Sequence, residues 1–311
     1  MSTAPFSEAL AIAGEFRKPR QMLQEQSYDG HLSIHDDKMA EDLGFRAGPI
    51  EGPTHFSQFA PLLHKIFGQA FFERGCISSH YQNMVVEGEE VRAYAALPAH
   101  SEHSTRIWAE KRDGTPVLMG TASLGPDHGT TEIASRIAGL RTPDQLVILR
   151  DLKVGQKGAV REQVVMAPDQ HMGNSYPFSL NDKLKVITEN SPWYSSASPW
   201  GGAIIPFEML SVLFEYTAGK AGFRTHGPAI GLFAGQEIKL IKGPLFVGYP
   251  YELEREIVAL SESKRTESMW VKTTAYDGKT GDKVAEMILN SATLKNSYAK
   301  YDEDAKALGK I

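Results

Sequence analysis

The 311-residue chain has a single cysteine, Cys76. An intrachain disulfide is therefore impossible, which fits a reducing compartment. Positive charge is not in excess: 33 Lys and Arg stand against 38 Asp and Glu, a formal net charge of −5. That balance argues against a nucleic-acid partner, which favours a basic face. Long apolar runs are missing too. The longest, near Trp200 to Phe214, is broken by Glu208 and is too short to span a bilayer. The first residues, MSTAPFSEALAIAG, have no basic start, and Glu8 interrupts their apolar part, so no secretory signal is expected. There is no P-loop, no G-x-G-x-x-G fingerprint and no G-x-S-x-G elbow. The expectation is a cytoplasmic protein with no membrane partner, no cofactor and no metal.

What is present reads as globular. Hydrophobic residues make up 41% and charged residues 23% of the chain, ordinary values for a packed protein. The length suggests two units of about 150 residues each.

One stretch organises the chain: YDGHLSIHDDKMAEDLGFRAGPIEGPTHFSQFAPLL, from Tyr28 to Leu63. It clusters Asp29, His31, His35, Asp36 and Asp37. Met39, Ala40 and Leu43 then share one side of a predicted helix over 36–43. Asp36 or Asp37 can cap its start, and Gly44 suits the left-handed position after its end. Pro53 suits the first turn of a second helix, where its missing N–H has no partner to lose. Phe56, Phe59, Ala60, Leu63 and Phe67 recur at three and four residues, one buried helix face.

Residues 1–16 read as a short helix or arm, and 17–27 as a strand. Beyond the helix, CISSHYQNMVV, EEVRAYAALPA, STRIWAEKRDG and TPVLMGTASLG read as strands, with Asp113-Gly114 as a hairpin turn. Residues 125–145 lack a strong period and read as a linker. The second part repeats the plan. A strand, GAVREQVVMAP, is followed by an irregular ENSPWYSSASPWGGAIIP and an apolar helix, Phe207 to Ala218, opened by Pro206. Four strands close the chain. RIWAEKRDG–VLMGTASL matches SMWVKTTAYDG–AEMILNSATL: an early Trp, an Asp-Gly turn, and a last strand ending Ala-Ser-Leu or Ala-Thr-Leu. This self-similarity implies a duplicated domain, divided as 1–140 and 141–311. Each half needs a curved antiparallel sheet to cover one apolar helix, an α+β arrangement.

The order of strand, acid/His loop, short helix ending in Gly-Phe, glycine turn, central helix and strands resembles the hotdog fold. The tandem copy resembles the double hotdog members of the MaoC-like (R)-specific enoyl-CoA hydratases. Their motif is roughly G-D-x-N-P-[LIV]-H-x-D-x-x-x-A, then Phe, then I-x-H-G at the helix start. Ile34, His35, Asp37, Ala40, Phe45, Ile50 and Gly52 fall in that order, about one residue out of register. Gly30 stands where the family has its catalytic Asp, with Asp29 one place earlier. Leu32 and Ser33 replace Asn and Pro, and Glu51 replaces the His before the glycine. In the second half Glu189 takes the Asp place and Tyr194 the His place, while Ile205 stands where a glycine is expected.

The resemblance implies addition or removal of water on a 2-enoyl thioester, with a CoA thioester as the small-molecule partner. His35 is the implied acid/base, with Asp29 or Glu189 assisting. Gly52 is the implied oxyanion donor, and His55 and Tyr194 are further site candidates. Asp37 reads as a cap rather than an orienting group, and Asp29 as a turn residue if it is not catalytic. Arg17, Arg46, Lys239 and Lys242 could meet the anionic CoA tail. Two alternatives stand beside this reading: a hotdog thioesterase, and a double hotdog that binds an acyl or other hydrophobic ligand without chemistry. A metal site on His31 and His35, as in a helical phosphohydrolase, is opposed by the many strands. The tandem copy already supplies the pairing that single hotdogs gain by dimerising, and a homodimer stays open.

Overall fold

A computed structural model describes residues 10–28, 31–98 and 102–311. The first half contributes β1 (Ala11–Ala13), β2 (Ser27–Tyr28), β3 (His31–Leu32), α1 (Asp37–Asp42), α2 (Phe56–Phe67) and α3 (Ala70–Arg74). Then come β4 (Gly75–Tyr81), β5 (Val91–Ala96), β6 (Ser104–Lys111), β7 (Pro116–Leu124) and α4 (Glu132–Ala138). The second contributes β8 (Glu162–Val164), α5 (Leu180–Leu184), α6 (Phe207–Glu215), β9 (Gly231–Leu240), β10 (Tyr251–Glu262), β11 (Thr266–Asp277), β12 (Lys283–Leu294) and α7 (Tyr301–Ala307).

Ten of these strands form one antiparallel sheet in the order β1-β5-β6-β7-β4-β9-β12-β11-β10-β8. Each half supplies five consecutive members. The halves meet edge to edge at β4 and β9, where Ser78 faces Glu237 and Ser79 faces Gln236. Pairing the two edges satisfies backbone N–H and C=O groups that would otherwise be left open. β2 and β3 make a separate small hairpin.

The two central helices are the core. In α2, Phe56, Phe59 and Leu63 are fully buried, and so are the polar Ser57 and Gln58. In α6 every residue from Phe207 to Phe214 is buried. A helix buried nearly all round needs cover on every side, which the curved sheet and the partner helix provide. Each large apolar side chain enclosed this way contributes about 1.5–3 kcal/mol. The helices touch through a polar contact as well: the Ser57 hydroxyl donates to Oε2 of Glu208 at 2.8 Å. Glu208 also has Lys183 Nζ at 3.7 Å.

The structure departs from the sequence reading in three places. Residues 11–13 are a strand on β5, with Ala11 opposite Ala96, rather than part of a helix or arm. Residues 17–26 are not a strand. Arg17 makes one isolated bridge to Val91, and then Oε1 of Gln21 accepts the N–H groups of Met22 and Leu23 and turns the chain. The 125–145 segment holds α4, capped by Thr131 and anchored by Ile133, which is fully buried and donates its N–H to Ser78 Oγ at 2.9 Å. α3, α5 and α7 are too short to show a period. Among the described residues, no helix is long and apolar enough to cross a membrane.

Candidate active site

The site begins with α1. Asp36 caps it, its side chain accepting the Met39 N–H at 2.8 Å. Gly44, at φ 81°, ends the turn. The chain then folds back. Asp37 Oδ1 accepts the Gly48 N–H at 2.9 Å, so Asp37 braces a loop and does not orient His35. Gly48 lies so close that a Cβ there would sit 2.2 Å from the His35 carbonyl oxygen. The next residue presents its carbonyl to the ring: His35 Nδ1 lies 2.7 Å from Pro49 O. Gln21 Nε2 donates to the same oxygen at 2.6 Å. Pro49 therefore fixes the imidazole by its backbone.

His35 lines a cavity of about 540 Å³ that both halves build. Glu51, Gly52 and His55 reach it from the single 3-10 turn, Gly52–His55, that leads into α2. Tyr176, Glu215 and Arg255 reach it from the second half. Much of the remaining wall is apolar, with Ile34, Phe45, Val85, Phe233 and Leu289 among it.

Burial sets the charges. It pushes His35 down to about 4, against the opposing hydrogen bond to Pro49. The ring is then neutral near pH 7. Because a carbonyl oxygen only accepts, Nδ1 carries the proton and Nε2 keeps a lone pair for a base's task. Burial also pushes Glu51 up to about 7, opposed by Lys183 and by the Tyr176 hydroxyl, which donates to Glu51 Oε1 at 3.2 Å. His55 is likewise held down to about 4, by burial first and then by Lys111 and Lys183. Its Nδ1 is buried with no partner among the described residues. Gly52 lies at the start of the helical run, where the first N–H groups have no intrahelical acceptor and the dipole is positive. Its missing side chain is required by Tyr81: a Cβ on Gly52 would meet Tyr81 Cζ at 2.3 Å.

Three residues singled out in the sequence, His35, Gly52 and His55, thus share this cavity. Asp29 lies outside the described residues. Glu189 and Tyr194 are not among the residues that line the cavity. Glu189 is held by Arg17 at 2.6 Å. Tyr194 is packed in the core, and burial raises its phenol pKa. Three of the four cations read as CoA contacts are also committed: Arg17 to Glu189, Arg46 to Glu89 and Lys242 to Asp282. The fourth, Lys239, has Glu237 at 3.5 Å. Among the described residues, no group of three or more His, Cys, Asp or Glu side chains is placed to hold a metal ion.

The cavity residues the sequence did not reveal are Tyr176, Glu215 and Arg255. Glu51 was visible only as a departure beside Gly52. A carboxylate next to a helix-opening glycine was its one signal.

This architecture, two sheet-wrapped helices in one chain joined along a continuous sheet, is the double hotdog fold. Solved structures share it, among them the following two. One is from Chloroflexus aurantiacus and is described as a MaoC domain protein dehydratase. It is 14% identical, with a TM-score of 0.56 over 93% of this chain and 95% of its own. The other is a Mycobacterium tuberculosis protein described as having a double hotdog fold. It is 10% identical, with a TM-score of 0.57 over 93% of this chain and 97% of its own. At the level of sequence, no family profile and no curated protein matches the chain.

Proposed function

We propose that the protein is a hydro-lyase of the MaoC type, which interconverts a 3-hydroxyacyl thioester and a 2-enoyl thioester plus water. The carrying observation is that His35, Glu51 and Gly52 line one largely apolar cavity. These are the three kinds of group the reaction needs.

In the dehydration direction, Nε2 of His35 takes the proton from C2. The electron pair left on C2 becomes the C2–C3 double bond as the C3–O bond breaks. The departing hydroxide takes the proton of the Glu51 carboxyl and leaves as water. In hydration the ionised Glu51 receives a proton from the attacking water, and the His35 imidazolium protonates C2. Negative charge on the thioester oxygen in the transition state is met by the Gly52 N–H and the positive end of the helical run. The two charge states with which dehydration starts are those burial favours: an imidazole pushed down to about 4 and a carboxyl pushed up to about 7. The Tyr176 hydroxyl steadies Glu51. The largely apolar wall strengthens each of these interactions by lowering the local polarity.

The test offers the purified protein crotonyl-CoA and longer 2-enoyl-CoAs, following the enoyl absorbance and free thiol together. Loss of the double bond without thiol, abolished in folded His35→Ala and Glu51→Gln proteins, is the expected result. Thiol release would assign hydrolysis instead. A folded wild-type protein that binds these thioesters and changes neither signal would rule out both.

A further inference from the structure

We infer that the substrate carries a hydrogen-bond donor, a hydroxyl or an amine, on its carbon chain beyond the reacting carbons, and that Glu215 receives it. This rests on the lyase reading of the cavity and adds to it a substrate class.

Glu215 is the last residue of α6 and lines the same cavity as Glu51. It is close enough for its charge to act on both Glu51 and Tyr176. Its carboxyl has no hydrogen bond or ion pair among the described residues. The obvious partner is Arg255, which also lines the cavity and is 4% exposed. Its terminal nitrogens are committed elsewhere. Nη1 donates to Glu162 Oε2 at 2.8 Å, and Nη2 to Phe214 O at 2.6 Å and Thr217 Oγ1 at 3.0 Å. Its Nε is buried without a partner. Glu162, Phe214 and Thr217 thus take the guanidinium's hydrogen bonds while its charge still acts on Glu215 against burial, and the Glu215 carboxyl, with no hydrogen bond of its own, lines the ligand space.

Three ligand chemistries can be compared there. A plain alkyl chain would strip water from a carboxylate and return nothing, which is unfavourable. A ligand carboxylate would face Glu215, Glu51 and the negative C-terminal end of α6 together. A hydroxyl or an amine donates to the carboxylate and suits the helix end as well. Ala218, Phe223 and Met269 line the same cavity and supply apolar wall for a carbon chain.

The experiment measures binding by calorimetry, so it needs no turnover. It uses saturated acyl-CoAs of equal length in matched sets: alkyl, omega-hydroxy and omega-amino, over several chain lengths. The wild-type protein is expected to bind the hydroxy or amino member about 10-fold or more tighter than the alkyl member at one length. In Glu215→Leu the preference should vanish, with alkyl binding unchanged or tighter. Should that variant not fold, Glu215→Gln keeps an acceptor oxygen but loses the charge. It should retain a hydroxy preference and lose an amino one. Equal or tighter binding of the alkyl member by wild type at every length overturns the inference. So does failure to bind any member. A polar preference without enoyl turnover would leave the Glu215 assignment standing and remove the lyase reading alone.

Discussion

The carbonyl oxygen of Pro49 stands 2.7 Å from Nδ1 of His35. One backbone contact therefore decides which imidazole nitrogen holds the proton and which can take one. The braces around it are separate: Asp36 caps α1, and Asp37 holds Gly48. His35→Ala should keep the fold while lowering kcat by about 10²–10⁴-fold. Circular dichroism with steady-state kinetics on 2-enoyl-CoA decides this. Unchanged turnover by a folded variant removes His35 from the chemistry.

Glu51 should leave its mark on the pH profile. Dehydration uses the protonated carboxyl, so its rate should fall as pH rises past about 7. Hydration starts with that same single proton on His35 instead of Glu51, so its rate should fall over the same pH range. Glu215 is also pushed up to about 7 by burial, so the limb belongs to two coupled carboxyls. In Glu215→Gln a limb near 7 should persist. A limb near the ordinary carboxylate value would exclude Glu51 as the acid.

The same group should weaken the fold. The folded pKa of Glu51 is raised from 4.5 to about 7. Its protonated form is therefore favoured by folding, and stability falls as pH climbs from 4.5 through 7. Above that window the loss is about 3 kcal/mol. Glu51→Gln should recover much of it at pH 8 and almost none at pH 4, read by denaturant unfolding at both. His55 has the opposite sign: its pKa is lowered from 6.5 to about 4. Its contribution is complete above 6.5 and is lost as pH falls toward 4.

Gly52 and Tyr81 should be energetically coupled. Gly52→Ala brings a methyl against the Tyr81 ring, at 2.3 Å from Cζ before adjustment. Overpacking of this kind costs about 1–3 kcal/mol. Most of that penalty should disappear in a Tyr81→Ala background, where the ring is gone. A double-mutant cycle in thermal unfolding that showed simple additivity would mean the Tyr81 ring is not the source of the penalty.

Glu267 is a test far from the cavity. It is fully buried in β11, and its carboxylate accepts the N–H groups of Val147, Ile148 and Leu149 at 2.8, 2.9 and 3.1 Å. Tyr301 adds its hydroxyl at 3.1 Å. Glu267→Ala would strand these donors, each costing about 1–3 kcal/mol if left unmet. A total of at least about 3 kcal/mol is expected in denaturant unfolding, with the cavity's ligand affinity unchanged. A loss below about 1 kcal/mol would show that water reaches the donors.

Much of the fold was legible because its signals are local. Phe56, Phe59 and Leu63 mark α2 by their spacing, and all three are fully buried. The Trp and Asp-Gly repeat placed Trp108 in β6 and Trp270 in β11, the penultimate strands of the two halves. The ends were not legible, because Ala11–Ala13 is a strand only through β5 and has no pattern of its own. The candidate site divides the same way. His35 and Gly52 lie within one loop-helix segment and could be read. Tyr176 meets Glu51 across 125 residues. Glu215 and Arg255 reach the cavity only through α6 and β10 of the other half. No spacing rule carries such a meeting, since folding alone creates it.

Consider last the pairing of β4 with β9 inside one polypeptide. Two separate subunits related by a twofold axis must carry identical clefts, so any change in one appears in both. A tether removes that obligation. The first half keeps a glycine, Gly52, at the mouth of its central helix, while the second has Ile205 before its own and a buried Glu208 in its first turn. Such a molecule can give one cavity two unlike walls, which no symmetric dimer could encode: His35, Glu51 and Gly52 from the first half, Tyr176, Glu215 and Arg255 from the second.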